Sequence, residues 1–137
     1  MKKTIDELLE TPYWIIDILP MQVRKGSPGQ YFAIERYLME GSQRADIRQK
    51  HIRMILKLNC YRDISLNEEQ TADPAPERIA EEMREKHVCI MVDDAMFVSD
   101  PDDTYMTLYH PDAELLELVR ILAEGEGLYV WQPADGR

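Results

Sequence analysis

The sequence predicts an α+β fold in which one largely antiparallel or mixed sheet of about five to six strands carries about four helices, packed mainly on one face. Three observations support this prediction. Short apolar runs joined by brief turns fill residues 88–109, as expected for antiparallel hairpins. Amphipathic helical patterns lie before and after these runs without alternating strictly with them. The chain has 137 residues, of which 45% are hydrophobic and 31% charged, so it is most simply a single domain over residues 1–137.

The N-terminal segment predicts a short helix followed by a buried strand. Thr4 and Glu7 fit a capping box at the start of a helix over about 5–10. The run Tyr13–Val23 is apolar on both alternating faces, which is typical of a strand buried on both sides. Pro20 cannot donate to a strand ladder, so we expect it at an edge position or a bulge.

A second helix is predicted to begin at Ser27. This residue fits the N-cap position, Pro28 the first helical position and Gln30 the third, which together form another capping box. The helix then continues to about Glu40. Gly41 supplies the left-handed residue that commonly follows a helix.

Residues 42–58 fit two patterns. Ile47 and Met54 share one helical face with polar residues opposite, whereas the later apolar residues also alternate as in a strand. We favour a helix over about 43–57, because the first part of the segment has a helical composition. A strand at Cys60–Leu66 is then expected to follow.

The second half of the chain predicts a polar loop, two helices and several strands. The loop covers about 67–76, where polar residues and two prolines indicate a flexible excursion. The elements that follow are a surface helix from Asp73 and Pro74 to about His87, strands at Val88–Val92, Ala95–Ser99 and Tyr105–Tyr109, a helix from Pro111 to Gly125, and a strand at Leu128–Trp131.

Charge is distributed unevenly along the chain, whose net charge is −10. Residues 24–62 hold nine basic and three acidic side chains, whereas residues 63–137 hold five basic and nineteen acidic ones. These two stretches either pair with each other within the fold or pair with another protein or a second copy. The sequence therefore predicts a non-catalytic protein-interaction or accessory protein. In one version of this hypothesis, the acidic surface of this protein covers the basic surface of a partner protein.

The alternative function is a small enzyme or ligand-binding protein with an anion site at Arg24–Ser27. Arg24 and Lys25 would meet a phosphate or carboxylate beside the free amides of a helix start. Asp17 stands alone in the apolar run WIIDILP, and a buried carboxylate is costly unless it is bonded or paired. In the functional interpretation, Asp17 is a general base with a raised pKa in a cleft. In the structural one, Ser27 only caps the helix, and Asp17 faces solvent or bonds an amide or a cation.

Neither a metal nor a cofactor is predicted. Five aspartates lie between Asp93 and Asp103, but aspartate is a common turn former, and the glycine and distant glutamate of an EF-hand are missing. The three histidines, Cys60 and Cys89 lack the spacing of a zinc site, and both cysteines fall in apolar predicted strands. The aromatic residues lie mostly inside predicted elements and are expected mainly in the core.

The sequence favours a cytoplasmic protein with no membrane and no nucleic-acid partner. No run approaches the roughly 18 apolar residues of a membrane span. The first residues, MKKTIDELLE, lack the apolar segment of a secretory signal, and two cysteines are too few for a disulfide framework. The net charge of −10 repels a polyanion such as a nucleic acid.

Overall fold

The computed structural model describes residues 3–26 and 28–134, and it has the predicted α+β fold. Within these ranges, six antiparallel strands form one sheet and five helices accompany it. In chain order the elements are α1 (Ile5–Leu8), β1 (Tyr13–Asp17), α2 (Tyr31–Leu38), α3 (Gly41–Asn59), β2 (Ser65–Leu66), α4 (Pro76–Glu85), β3 (Val88–Val92), β4 (Ala95–Ser99), β5 (Met106–Tyr109), α5 (Ala113–Gly125) and β6 (Tyr129–Trp131).

The strand order in the sheet is β2-β3-β4-β5-β1-β6, and all neighbours are antiparallel. The strands β3, β4 and β5 follow one another as the predicted hairpins. The first strand, β1, lies between β5 and β6, where Ile15 is opposite Thr107 on one side and Trp131 on the other. The two ends of the chain therefore meet in the same half of the sheet.

Alternation along the strands divides their side chains between two faces. Ile16, Phe97 and Leu108 point into the main core, together with apolar side chains of α3, α4 and α5. Met96 and Val98 lie on the opposite face, where Leu8 of α1 packs against them. The three longest helices thus pack on one face, as predicted, and α1 covers part of the other.

The N-terminal boundaries are shorter than predicted. The capping box at Thr4 and Glu7 is confirmed, with the Thr4 N–H donating to a Glu7 carboxylate oxygen at 2.8 Å. The strand β1 ends at Asp17, and the apolar residues after it leave the sheet. The predicted helix start at Ser27 is wrong: α2 begins at Tyr31, with Gln30 as an N-cap whose side chain makes no capping bond. Ser27 itself lies outside the described residues.

The favoured helix over residues 43–57 is confirmed by α3, whereas the strand predicted at Cys60–Leu66 is mostly wrong. Cys60 ends α3 and is exposed. Pairing with β3 begins only at Ser65. The helix continues further than predicted because its buried face extends to the end of the segment and includes Ile47, Met54, Ile55 and Leu58.

The predicted polar loop ends where α4 begins, at Pro76, and it is tied to the rest of the fold by Asp73. One carboxylate oxygen of Asp73 accepts hydrogen bonds from the Ile64 N–H at 3.0 Å and from the Asn59 amide at 2.8 Å. Asp73 is the residue that the sequence predicts at the start of α4, but its side chain bonds Ile64 and Asn59 and does not cap the helix. The helix therefore begins three residues later, with Ala75 as its N-cap.

Four ion pairs join the basic stretch 24–62 to the acidic remainder of the chain. They are Arg44–Asp102 at 2.7 Å, Arg53–Glu126 at 2.8 Å, Lys57–Glu126 at 2.6 Å, and Arg62–Asp93. Pairing within the fold thus accounts for part of the uneven charge. In the described ranges, none of the helices has the length and apolar character that a bilayer crossing requires.

Candidate ligand-binding cavity

The part of the sheet formed by β5, β1 and β6 is the floor of a cavity, on the face opposite the main core. Period-two alternation places Tyr13, Ile15 and Asp17 of β1 on this face, while Ile16 between them enters the core. The register then sets Tyr109 opposite Tyr13, and Thr107 opposite Ile15. The floor is therefore built from the outward-facing side chains of neighbouring strands.

The segment that leaves the sheet after Asp17 covers this floor, together with the first turn of α2. The cavity between them is half open to solvent and has a volume of about 790 Å³. Its lining contains six aromatic side chains: Tyr13, Tyr31, Phe32, Tyr105, Tyr109 and Trp131. This volume lies within the range of about 300–1,000 Å³ that is typical of small-molecule sites.

Several of the aromatic rings have fixed partners. The indole N–H of Trp131 donates to the Leu19 carbonyl at 3.0 Å, which joins the last strand to the covering segment. The rings of Tyr13 and Tyr109 are 5.5 Å apart between centroids and inclined by 41°. The floor is thus a preformed aromatic surface and not a set of loosely placed side chains.

Asp17 lies at the end of β1, lines the cavity, and is only 6% exposed. Its Oδ1 accepts a hydrogen bond from the Ile18 N–H at 2.7 Å. Among the residues that the structure describes, no cation forms an ion pair with it. Burial raises its pKa to about 6, with Glu35 adding to the rise, although amides of the covering segment oppose it. The Asp17 carboxylate is therefore hydrogen-bonded to the backbone, as the structural interpretation of the sequence expected. It also has the raised pKa that the functional interpretation expected.

Further acidic and phenolic groups surround Asp17. The Tyr31 hydroxyl donates to a Glu35 carboxylate oxygen at 3.0 Å. Burial raises the pKa of Tyr31, and Glu35 and Asp17 raise it further. The pKa of Tyr105 is also raised by burial and by the nearby carboxylates of Asp103, Glu35 and Asp17. Asp17, Tyr31 and Tyr105 line this end of the cavity, and Glu35 is bonded to Tyr31 without lining it. These four residues form the acidic end.

Arg24 and Lys25 lie in the segment above the floor, and both line the same cavity as Asp17. Gly26 follows them with a φ of +78°, a left-handed conformation that glycine adopts at little cost. Because α2 begins only at Tyr31, these residues are not placed at a helix N-terminus as the sequence suggested. The structure thus brings together three of the four predicted site residues, and Ser27 lies outside its described ranges.

The buried guanidinium of Arg48 positions one wall of the cavity. It donates to the Ser99 hydroxyl at 2.8 Å and to the carbonyl oxygens of Asp100 and Asp103. These bonds hold the turn that leads into Tyr105. The burial of this arginine was not predicted from the sequence.

The aromatic floor is the part of the site that sequence reasoning missed, since the aromatic residues were expected mainly in the core. A signal was present in the alternation of the strand sequences YWIID and YMTLY. In each, every second residue is aromatic, polar or β-branched, and those between are large and apolar. Two adjacent strands with this pattern indicate a second, polar-aromatic face.

No protein family, curated protein or solved structure matches the chain. The geometry of the cavity is therefore the guide to the function of this protein.

The aspartate cluster in the second half of the chain has structural roles. Asp93 and Asp102 pair with arginines, and Asp100 accepts from the Asp102 N–H at 2.9 Å within its turn. A cavity of about 170 Å³ lies beside Asp94 and His110. Within the described residues, no group of three or more histidine, cysteine or acidic side chains is placed to hold a metal ion.

Proposed function

We propose that this protein binds a small organic molecule in the aromatic cavity. The observation that carries the proposal is the combination of about 790 Å³ of space with six aromatic side chains and a few polar groups. The cavity is half open to solvent, so a ligand can enter it from the surface without rearrangement of the core. Apolar walls with a small number of placed polar groups are the usual composition of a ligand pocket.

The polar groups favour a ligand with an apolar body and an anionic group. Aromatic walls favour a flat or bulky apolar body, which would be removed from water on binding. Arg24 and Lys25 line the cavity from the covering segment, so an anionic substituent would meet two cations there. Catalysis with Asp17 as general base also requires a bound substrate, so ligand binding is the step to test first.

A fluorescent probe tests this proposal. Anilinonaphthalene sulfonate has a flat apolar body and one anionic group, and we expect it to bind saturably at one site per chain. The Thr107→Trp variant places a large ring on the cavity floor and should abolish binding. The matched Ile121→Trp variant adds the same ring at an exposed position of α5 and should leave binding unchanged. Arg24→Ala and Lys25→Ala should each weaken binding severalfold.

Two results would contradict the proposal. Wild-type protein that binds no dye, or binds it without saturation, would show that the cavity does not accept an apolar anion. Equal binding by the Thr107→Trp and Ile121→Trp variants would place the dye elsewhere on the surface. Unfolding curves of both variants distinguish loss of binding from loss of fold.

A protein partner, the function that the charge pattern predicts, is the second candidate. The observation in its favour is on α2, where Ile34 and Tyr37, which share one helical face, are 52% and 63% exposed. Exposed apolar side chains that lie close together are typical of interaction surfaces. The charge argument is weaker, because four ion pairs use cations of the basic stretch within the fold.

A further inference from the structure

Asp17 is a buried carboxylate without a cationic partner among the described residues. Removing such a group from water costs several kcal/mol unless a counter-charge or hydrogen bonds compensate. The backbone amides of Ile18 and Leu19 both interact with it, and the Ile18 N–H donates at 2.7 Å. Since the carboxylate also lines the cavity, the position of a missing counter-charge is inside the cavity.

The surroundings of Asp17 are suited to a cation. The phenol rings near it are those of Tyr31 and Tyr105, since the charge of Asp17 acts on both. Trp131 is opposite Ile15, two residues earlier on β1, and aromatic faces attract ammonium and guanidinium groups. Glu35, on the adjacent helix, is the charged side chain that acts on Asp17, and it adds negative potential. An additional anion at this end would meet two carboxylates, whereas a cation would be attracted by both.

The cavity therefore has opposite charges in different parts of its lining. Asp17 and Glu35 belong to the acidic end, with Tyr31 and Tyr105 beside them and Asp103 acting on Tyr105. Arg24 and Lys25 belong to the covering segment. A ligand with two separated charges would match both parts, and the acidic end is the more buried of the two.

Building on the ligand-binding function proposed above, we propose that the ligand carries a cationic nitrogen, which binds against Asp17 among the aromatic rings. The nitrogen is a protonated amine or a protonated ring nitrogen. It donates to the free lone pairs of the carboxylate, and the neighbouring rings replace part of its hydration shell. The rest of the ligand lies over the aromatic floor, with any anionic group directed towards Arg24 and Lys25.

Three probes with one indole body and different charges test the inference by calorimetry at pH 7. Tryptamine is cationic, tryptophol is neutral and indole-3-acetate is anionic. We expect tryptamine to bind about tenfold more tightly than tryptophol. In the Asp17→Asn variant this preference should disappear, while tryptophol binding stays within about twofold of the wild type. Asp46→Asn removes the same charge from the exposed surface of α3 and serves as the matched control, in which the preference should persist.

The outcomes separate this inference from the ligand-binding proposal. If none of the three indoles binds and the anionic dye also fails, both proposals are overturned. If the dye or tryptophol binds in the cavity but tryptamine has no advantage, only the cationic ligand is excluded. The same conclusion follows if Asp17→Asn leaves the advantage intact. A preference lost equally in Asp46→Asn would show attraction by net charge and would also exclude a role for Asp17.

Discussion

Asp17 lowers the stability of the folded chain at neutral pH. Its pKa rises from an ordinary value of 3.8 to about 6, because burial disfavours the charged carboxylate. Between these two values the folded state holds a proton that the unfolded chain has released. The free energy of unfolding therefore falls as pH rises through this window, and the deficit persists at pH 7 at a size on the order of 2–3 kcal/mol.

The Asp17→Asn variant should consequently be more stable than the wild type at pH 7, by about 1–2 kcal/mol. Asparagine keeps an oxygen that accepts from the Ile18 N–H but carries no charge. At pH 4 the wild-type carboxyl is protonated, so the gain should largely disappear. Urea denaturation at both pH values measures the difference between the two proteins.

The titration of His51 does not disturb this comparison. His51 is fully buried with its pKa lowered to about 3, so the protein loses stability as pH falls below the ordinary histidine value of 6.5. That loss is common to both proteins and cancels in their difference. A variant that is less stable than the wild type at pH 7 would show that the carboxylate is stabilised by interactions beyond those seen here.

The candidate site was partly predictable from single residues. Asp17 was identified because a lone carboxylate in an apolar run requires an explanation, and Arg24 and Lys25 because two adjacent cations follow that run. All three line the cavity. Trp131 could not be connected to them, because its place on the floor depends on β6 pairing with β1 more than a hundred residues earlier. Sequence reasoning has no access to such pairing.

At the level of elements, the middle strands and α3 were predictable because their patterns are strong and local. The strand β1 was predicted to reach Val23 but ends at Asp17. Apolar residues continue past that point, but they form the segment that covers the cavity. An apolar run has the same composition whether it pairs in a sheet or folds over one, so the boundary could not be read from the sequence.

The end of α5 was predicted at Gly125, and the structure confirms that boundary. The left-handed residue is Gly127, with a φ of +75°. The Leu128 N–H donates to the Ala123 carbonyl at 2.8 Å and the Gly127 N–H to the Glu124 carbonyl at 3.0 Å. These two bonds define a Schellman motif, which directs the chain into β6 and hence Trp131 onto the cavity floor.

Alanine substitutions at the two glycines should have opposite effects. Gly127→Ala should lower the free energy of unfolding by about 1 kcal/mol, because a side chain is strained at positive φ. The new Cβ would also lie 3.3 Å from the Lys50 Nζ, which can move away. Gly125→Ala should raise stability by about 0.5–1 kcal/mol, since alanine favours the helix. Apart from its chain neighbours and the backbone of its own helix, no atom of the described residues lies within 4 Å of a Cβ built there.

Urea denaturation of both variants checks this assignment. The pair is well matched because the two positions are two residues apart and receive the same methyl group. A larger loss of stability in Gly125→Ala than in Gly127→Ala would show that the end of α5 requires glycine at position 125 and not at position 127.

For the whole molecule, the sequence left open whether the opposite charges pair within the fold or with another protein, and four ion pairs form within it. Glu126 accepts from both Arg53 and Lys57, at 2.8 and 2.6 Å, and its pKa is lowered by these two cations despite the opposing effect of burial. This pairing joins α3 to the end of α5. With such cations used internally, the outward charge of the molecule is dominated by its excess of acidic side chains, for a net charge of −10.

This charge distribution predicts that copies of the chain repel one another at low salt. Light scattering during gel filtration should therefore find a monomer in about 20 mM sodium chloride, where charges act over roughly 20 Å or more. A dimer that forms in low salt and separates in about 500 mM salt would instead show that the basic and acidic stretches pair between copies.

Association that strengthens with salt would indicate that copies associate through the apolar surface of α2. An Ile34→Ser, Tyr37→Ser double variant should then abolish this association. Those two side chains do not line the cavity, so the same variant should still bind the dye, and surface association and ligand binding can be measured separately.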